Sequence, residues 1–131
     1  MANLFDADNA PEGEPSEVVV GDFLQWKRSD LVGDYPASEY SAQYVARITG
    51  GGSNEIKLTG VGSATEYLFT VPSETSADFL AGYYHWQLEV TQTSTGNRLV
   101  VDIGDFKALP DLADNQADPR IHAEIMIAKI E

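Results

Sequence analysis

Cysteine is absent from all 131 residues. That absence removes disulfide frameworks, thiolate metal sites and cysteine nucleophiles together, and it suits assembly in a reducing cytoplasm. Basic residues are scarce, eight against 21 acidic ones, for a net charge of −13. Nucleic-acid binders gain affinity by neutralising phosphates with Lys and Arg, so this balance argues against DNA and RNA as partners. No early apolar run resembles a signal peptide, and no segment approaches the ~20 apolar residues that span a bilayer, so no membrane partner is expected. Histidine occurs only at His85 and His122, without HExxH spacing, and no GxSxG elbow, P-loop or Rossmann fingerprint is present. Carboxylates gather at Asp102, Asp105, Asp111, Asp114 and Asp118, but without the D-x-D-x-D-G order of an EF-hand they read as a solvated acidic edge and a helix N-cap. The expectation is a protein with no catalytic residues, no cofactor and no metal: not an enzyme.

What the chain does have is strand periodicity. Tyr84, Trp86, Leu88 and Val90 alternate with Tyr83, His85, Gln87 and Glu89, the two-residue period of a strand that is dry on one face and wet on the other. The polar segment Gln92-Thr-Ser-Thr-Gly-Asn97 then reverses the chain. Leu99, Val101 and Ile103 resume the alternation, so residues 82–103 read as an antiparallel hairpin with those three facing the core. Further strands are expected at Val18–Val20, Leu24–Lys27, Ser41–Ile48, Glu55–Thr59, Glu66–Val71, Arg98–Asp102 and Asp105–Leu109. One short helix is expected from Ser73, with Phe79 and Leu80 closing an end of the sandwich. About seven or eight short strands separated by turn signals every 8–12 residues predict an all-β fold, an immunoglobulin-like antiparallel β-sandwich over 17–109.

Two flanking segments differ in chemistry. Residues 1–16, with four carboxylates, two prolines and no basic group, bury too little apolar surface to order by themselves and read as an extended acidic arm, either a disordered tail or an extension that orders against a neighbouring subunit with Leu4 and Phe5 as its only apolar anchors. Residues 110–131 read as a polar linker and a C-terminal helix opened by Asp118-Pro119. Ala123, Met126 and Ile130 make one apolar stripe and Ile121, Ile125 and Ala128 a second, with Ile127 adding to the apolar surface. Such a helix needs cover on more than one side, which a homo-oligomer, most simply a trimer, a groove on a neighbouring protein, or its own sandwich would supply; the homo-oligomer is the expected one. It reaches Glu131 with no stop signal, so a longer polypeptide is expected.

The order Tyr35-Pro-Ala-Ser38, an alternating strand, Gly82-Tyr-Tyr-His-Trp-Gln87, Leu109-Pro-Asp-Leu112 and Asp118-Pro-Arg-Ile-His-Ala123 resembles a family of small structural proteins of tailed bacteriophages. The resemblance covers about residues 20–131, and its motifs are structural ones. It implies an immunoglobulin-like sandwich joined to a helix, and no catalysis. The expected role is a virion component made in the bacterial host cytoplasm. Among such roles the acidic body favours a capsid decoration or cement protein on the head exterior, bound to the major capsid protein or other virion proteins. Neck, tail or baseplate parts use similar domains. A host-surface binding module, with Tyr35, Tyr40 and Tyr83 as contacts, is the reading from another class.

Overall fold

A computed structural model describes residues 3–49 and 55–113. Eight strands and one short helix follow in order: β1 (Glu17–Val19), β2 (Leu24–Arg28), β3 (Tyr40–Ile48), β4 (Glu55–Thr59), β5 (Val61–Gly62), β6 (Tyr67–Val71), α1 (Ser73–Ser76), β7 (Gly82–Gln92) and β8 (Arg98–Leu109). They form a five-stranded sheet ordered β1-β8-β7-β3-β4 and a three-stranded sheet ordered β2-β6-β5. The fold is therefore mostly β. The larger sheet is curled and mixed, not purely antiparallel as expected, because β1 runs parallel to β8 with Val18 opposite Ala108.

Alternation explains which side chains meet between the sheets. On β7 Tyr84, Trp86, Leu88 and Val90 are buried, and the matching residues of β3, Ala42, Tyr44 and Ala46, lie directly opposite Val90, Leu88 and Trp86. From the smaller sheet, Trp26 and its cross-strand partner Phe69 face them. The rings interlock at the centre: Tyr44 stands edge-on to Trp26, Phe69 and Trp86 with centroids 5.4, 4.6 and 5.2 Å away. Such edge-to-face pairs contribute about 0.5–1.5 kcal/mol each beyond the area they bury. The indole N–H groups of Trp26 and Trp86 have no hydrogen-bond partner among the described residues. Room for Trp86 comes from Gly104 across the β7–β8 ladder, where a Cβ would sit 2.4 Å from the indole ring.

The hairpin forms as expected, but β8 does not keep its predicted faces. Its register slips at Leu88/Glu89, where Asp102 opposes Leu88 and Val100 opposes Glu89, leaving Val101 as the extra residue of a β-bulge. One added residue exchanges the faces beyond it. Ile103 consequently lies on the outer face, 73 % exposed; Leu99 stays on the face of its partner Val90 but, beside the hairpin turn, is 61 % exposed, whereas Val101 does pack against the core. The two strands expected at 98–102 and 105–109 are one. The helix is also shorter than its capping pattern predicts: Pro72, not Ser73, occupies the cap, and the chain straightens towards β7 after Phe79. Phe79 is buried, but Leu80 is 56 % exposed; its carbonyl accepts a 2.6 Å hydrogen bond from the Tyr84 hydroxyl instead.

Candidate functional site

Beneath the edge of β8 a single guanidinium gathers three segments of chain. Arg28, at the end of β2, donates from Nε and Nη2 to the two carboxylate oxygens of Asp30, each at 2.9 Å, the planar fork that arginine makes best. Its Nη1 donates to Glu14 at 3.0 Å, and Nη2 lies 3.2 Å from Asp102 of β8. The Tyr44 hydroxyl donates to the same Glu14 carboxylate, so the arm is tied to the core as well as to β2. Hydrogen bonding to Asp30 raises the Arg28 pKa against the opposing penalty of burial, and Arg28 holds the Asp30 carboxyl below its usual range. Burial, with the Glu14 hydrogen bond next, pushes the Tyr44 phenol up.

This clasp orders the arm on its own body. Glu12 accepts from the backbone and hydroxyl of Ser29, and the backbone of Pro11 and Gly13 bonds to Lys27. Composition undervalued such a segment because it counts apolar area, and the arm is held by carboxylates and backbone bonds. Leu4 and Phe5 remain 59 % and 75 % exposed, although the Phe5 ring meets Phe23 at 5.1 Å. The other expected assembly residues, Ile121, Ala123, Ile125, Met126, Ile127 and Ile130, lie outside the described residues, as do the helix and the linker from residue 114 on.

The outer face of the five-stranded sheet is the second candidate. It carries a broad, open depression of about 810 Å³ lined by side chains of β3, β4, β7 and β8. Of the described basic residues, Arg47, Lys57, Arg98 and Lys107 all stand on this face, and only Lys27 and Arg28 lie elsewhere. Each meets an acid or a ring: Arg47 is 2.6 Å and Lys57 3.8 Å from Glu55, Arg98 is 3.0 Å from Glu89, and Lys107 sits over Tyr83, 5.3 Å from its centroid. Glu17, Glu55, Glu89 and Asp105 balance them, so the face is neutral while the rest of the described surface is strongly acidic. Cations already paired present little net positive field, which suits a polar protein surface better than a phosphate backbone. Sequence reading missed this face, though the outward positions of each predicted strand already carried the basic residues.

Other candidates disperse. Asp102 turns to Arg28, Asp105 stands opposite the exposed His85 on the outer face, and Asp111 accepts from the Ala113 backbone. No group of His or acidic residues among the described residues could hold a metal ion. Tyr35 and Tyr40 pack edge-to-face at 5.4 Å, half-buried, while Tyr83 is exposed. Between the sheets lies an apolar void of about 40 Å³, on the scale of a water molecule or two and lined by core side chains such as Trp26, Tyr44 and Trp86. No protein-family model and no curated protein matches the chain.

Proposed function

We propose that this chain is a non-enzymatic structural component of a tailed-bacteriophage virion, a decoration or cement protein on the head exterior, built on an immunoglobulin-like sandwich. The observation that supports the reading is the use made of the motif residues on which the resemblance to that family rests. The Tyr35-Pro-Ala-Ser38 loop is a packing element: Tyr67 donates its hydroxyl to the carbonyls of Tyr35 and Tyr40, and Ala37 lies so close to Gly62 that a Cβ there would stand 2.4 Å away. In Gly82–Gln87, Tyr84 and Trp86 are core residues. Motifs spent on rigidity suit a module whose task is to be held in place.

Three features support the immunoglobulin-like part. The two sheets have the strand order of a variable-type sandwich, including a first strand parallel to the last. The Tyr84 hydroxyl bonded to Leu80 has the form of the tyrosine corner. Trp26, Tyr44 and Trp86 occupy the central positions on β2, β3 and β7 where antibody domains place a disulfide and a tryptophan, and aromatic packing substitutes for the bond that a cysteine-free chain lacks.

The acidic body is repelled by packaged DNA, and the balanced outer face leaves one surface free to approach another protein. Mass spectrometry of purified particles tests the reading: absence from virions defeats it. Copy number then separates the alternatives, with copies on the scale of the capsid subunits expected for decoration and a single ring for a neck, tail or baseplate part. The polar concavity also favours a second reading, a host-surface binding module; adsorption of the purified protein to host cells, lost on reversing Arg47 and Lys57, would support it.

A further inference from the structure

The edge of β8 has a pattern that fits itself. β1 covers only Lys107–Leu109 of this strand, so the edge from Arg98 to Phe106 has no neighbouring strand among the described residues. Hydrogen-bond phase tells which backbone groups point off the edge. The Lys107 N–H goes to Ser16 and the Leu109 carbonyl accepts from Val20, both away from β7, so by the two-residue period Asp105 and Ile103 also point outwards. At the hairpin end Gln92 bonds to Asn97, which places Asn97 and Leu99 towards β7 and Arg98 and Val100 away from it. The side chains of Arg98, Val100, Ile103 and Asp105 share the outer face, opposite Thr91, Glu89, Gln87 and His85. The bulge at Val101 thus makes the strand symmetrical about the point between Val101 and Asp102.

We infer that β8 pairs antiparallel with β8 of a second copy of this chain across a two-fold axis at that point, joining two five-stranded sheets into one. In this register Arg98 meets Asp105 of the second copy and Val100 meets Ile103 of the second copy, each twice. A strand without the bulge could not do this, since residues on one face would then need an even sum of positions. Bulges ordinarily blunt an edge against pairing; here the bulge brings opposite charges and exposed apolar side chains into self-complementary order. The Ile103 N–H, one of the outward donors, is met only locally, by the Asp102 carboxylate at 2.9 Å, a contact that a pairing carbonyl can replace. Main-chain bonds supply affinity and the Arg–Asp pairs fix register, the usual division of labour in strand addition. This inference stands apart from the virion reading and does not depend on it.

Sedimentation equilibrium on the full chain is the test. Wild type should show a monomer–dimer equilibrium. Ile103→Pro, which removes an outward donor without touching the β7–β8 ladder, should abolish it. Arg98→Asp and Asp105→Arg should each weaken association about tenfold by replacing two attractive pairs with two repulsive ones, and the double swap should restore it. Thermal melts control for folding. Should a variant fail to fold, amide exchange on wild type decides: protection at Ile103 and Asp105 must grow with protein concentration. A monomer at every concentration, an association indifferent to Ile103→Pro and to charge reversal, or concentration-independent exchange at these amides overturns the inference.

Discussion

Strands β7 and β8 are hydrogen-bonded neighbours along almost their whole length, yet they obey different rules. β7 keeps a strict period from Tyr84 to Val90, each inward residue buried. β8 breaks its period at Val101, turns Asp102 inwards to Arg28 and gives up a side chain at Gly104 to admit Trp86. The difference follows from position. A strand with a neighbour on both sides cannot take an extra residue without disturbing two ladders, while a strand whose second edge, among the described residues, is covered only at Lys107–Leu109 can. Central strands therefore carry the fold's pattern, and edge strands are free to carry its specialisations.

Breaking the inner side as a whole should give the largest effect. Burial pushes the phenols of Tyr44, Tyr67 and Tyr84 above the ordinary tyrosine value of 10.0. A group whose folded pKa is raised stabilises fully below its unfolded pKa and ceases to do so as pH climbs through the folded one. The protein is therefore expected to unfold cooperatively in alkali above about pH 10, with these three phenols ionising only as near-UV circular dichroism collapses. Ionisation of all six tyrosines while that signal persists would contradict it.

On β7, Leu88→Ala should cost about 2–5 kcal/mol in chemical denaturation, as for any fully buried leucine. On β8, Gly104→Ala drives a methyl into the indole of Trp86 and should cost about 1–3 kcal/mol, with a change in tryptophan emission that Leu88→Ala does not reproduce in kind. Glu14→Gln tests the arm. It leaves Tyr44 a possible acceptor but removes a charge from Arg28, for a loss of about 1–2 kcal/mol and faster proteolysis within residues 3–16. The smallest effect belongs to the outer side of β8. Ile103→Ser should lie within about 0.5 kcal/mol of wild type, although an inward residue, as the alternation predicts, would cost several times more.

The same contrast explains what the sequence makes legible. β3, β4, β6 and β7 read correctly to within a residue or so because each presents one dry face, and burial enforces the period. β5 was missed: Val61–Gly62 is too short for a period to exist. Alternation points Ile103 inwards because nothing in the local composition marks Val101 as an extra residue; the signal is non-local, in the pairing of Asp102 with Arg28, while Leu99 keeps the face of Val90 and is exposed by its place beside the turn. For the same reason Glu14 gave no signal as an anchor, since its partners Arg28 and Tyr44 are distant in the chain. The outer face was readable in principle, by collecting the outward residues of all strands. The apolar periodicity at Ile121–Ile130 lies outside the described residues.

The parallel contact between β1 and β8 has a mechanical meaning. Glu17–Val19 lies alongside Lys107–Leu109 in the same direction, closed by the bonds from Lys107 to Ser16 and from Val20 to Leu109. Tension applied between the two ends of the folded body pulls these strands past each other lengthwise. Their bonds are then loaded together, in shear, and cannot peel one at a time as in a hairpin drawn apart from its open end. Force resistance of this sort is governed by the unfolding barrier and not by equilibrium stability. The body can thus act as a stiff link while under load, whatever its equilibrium stability.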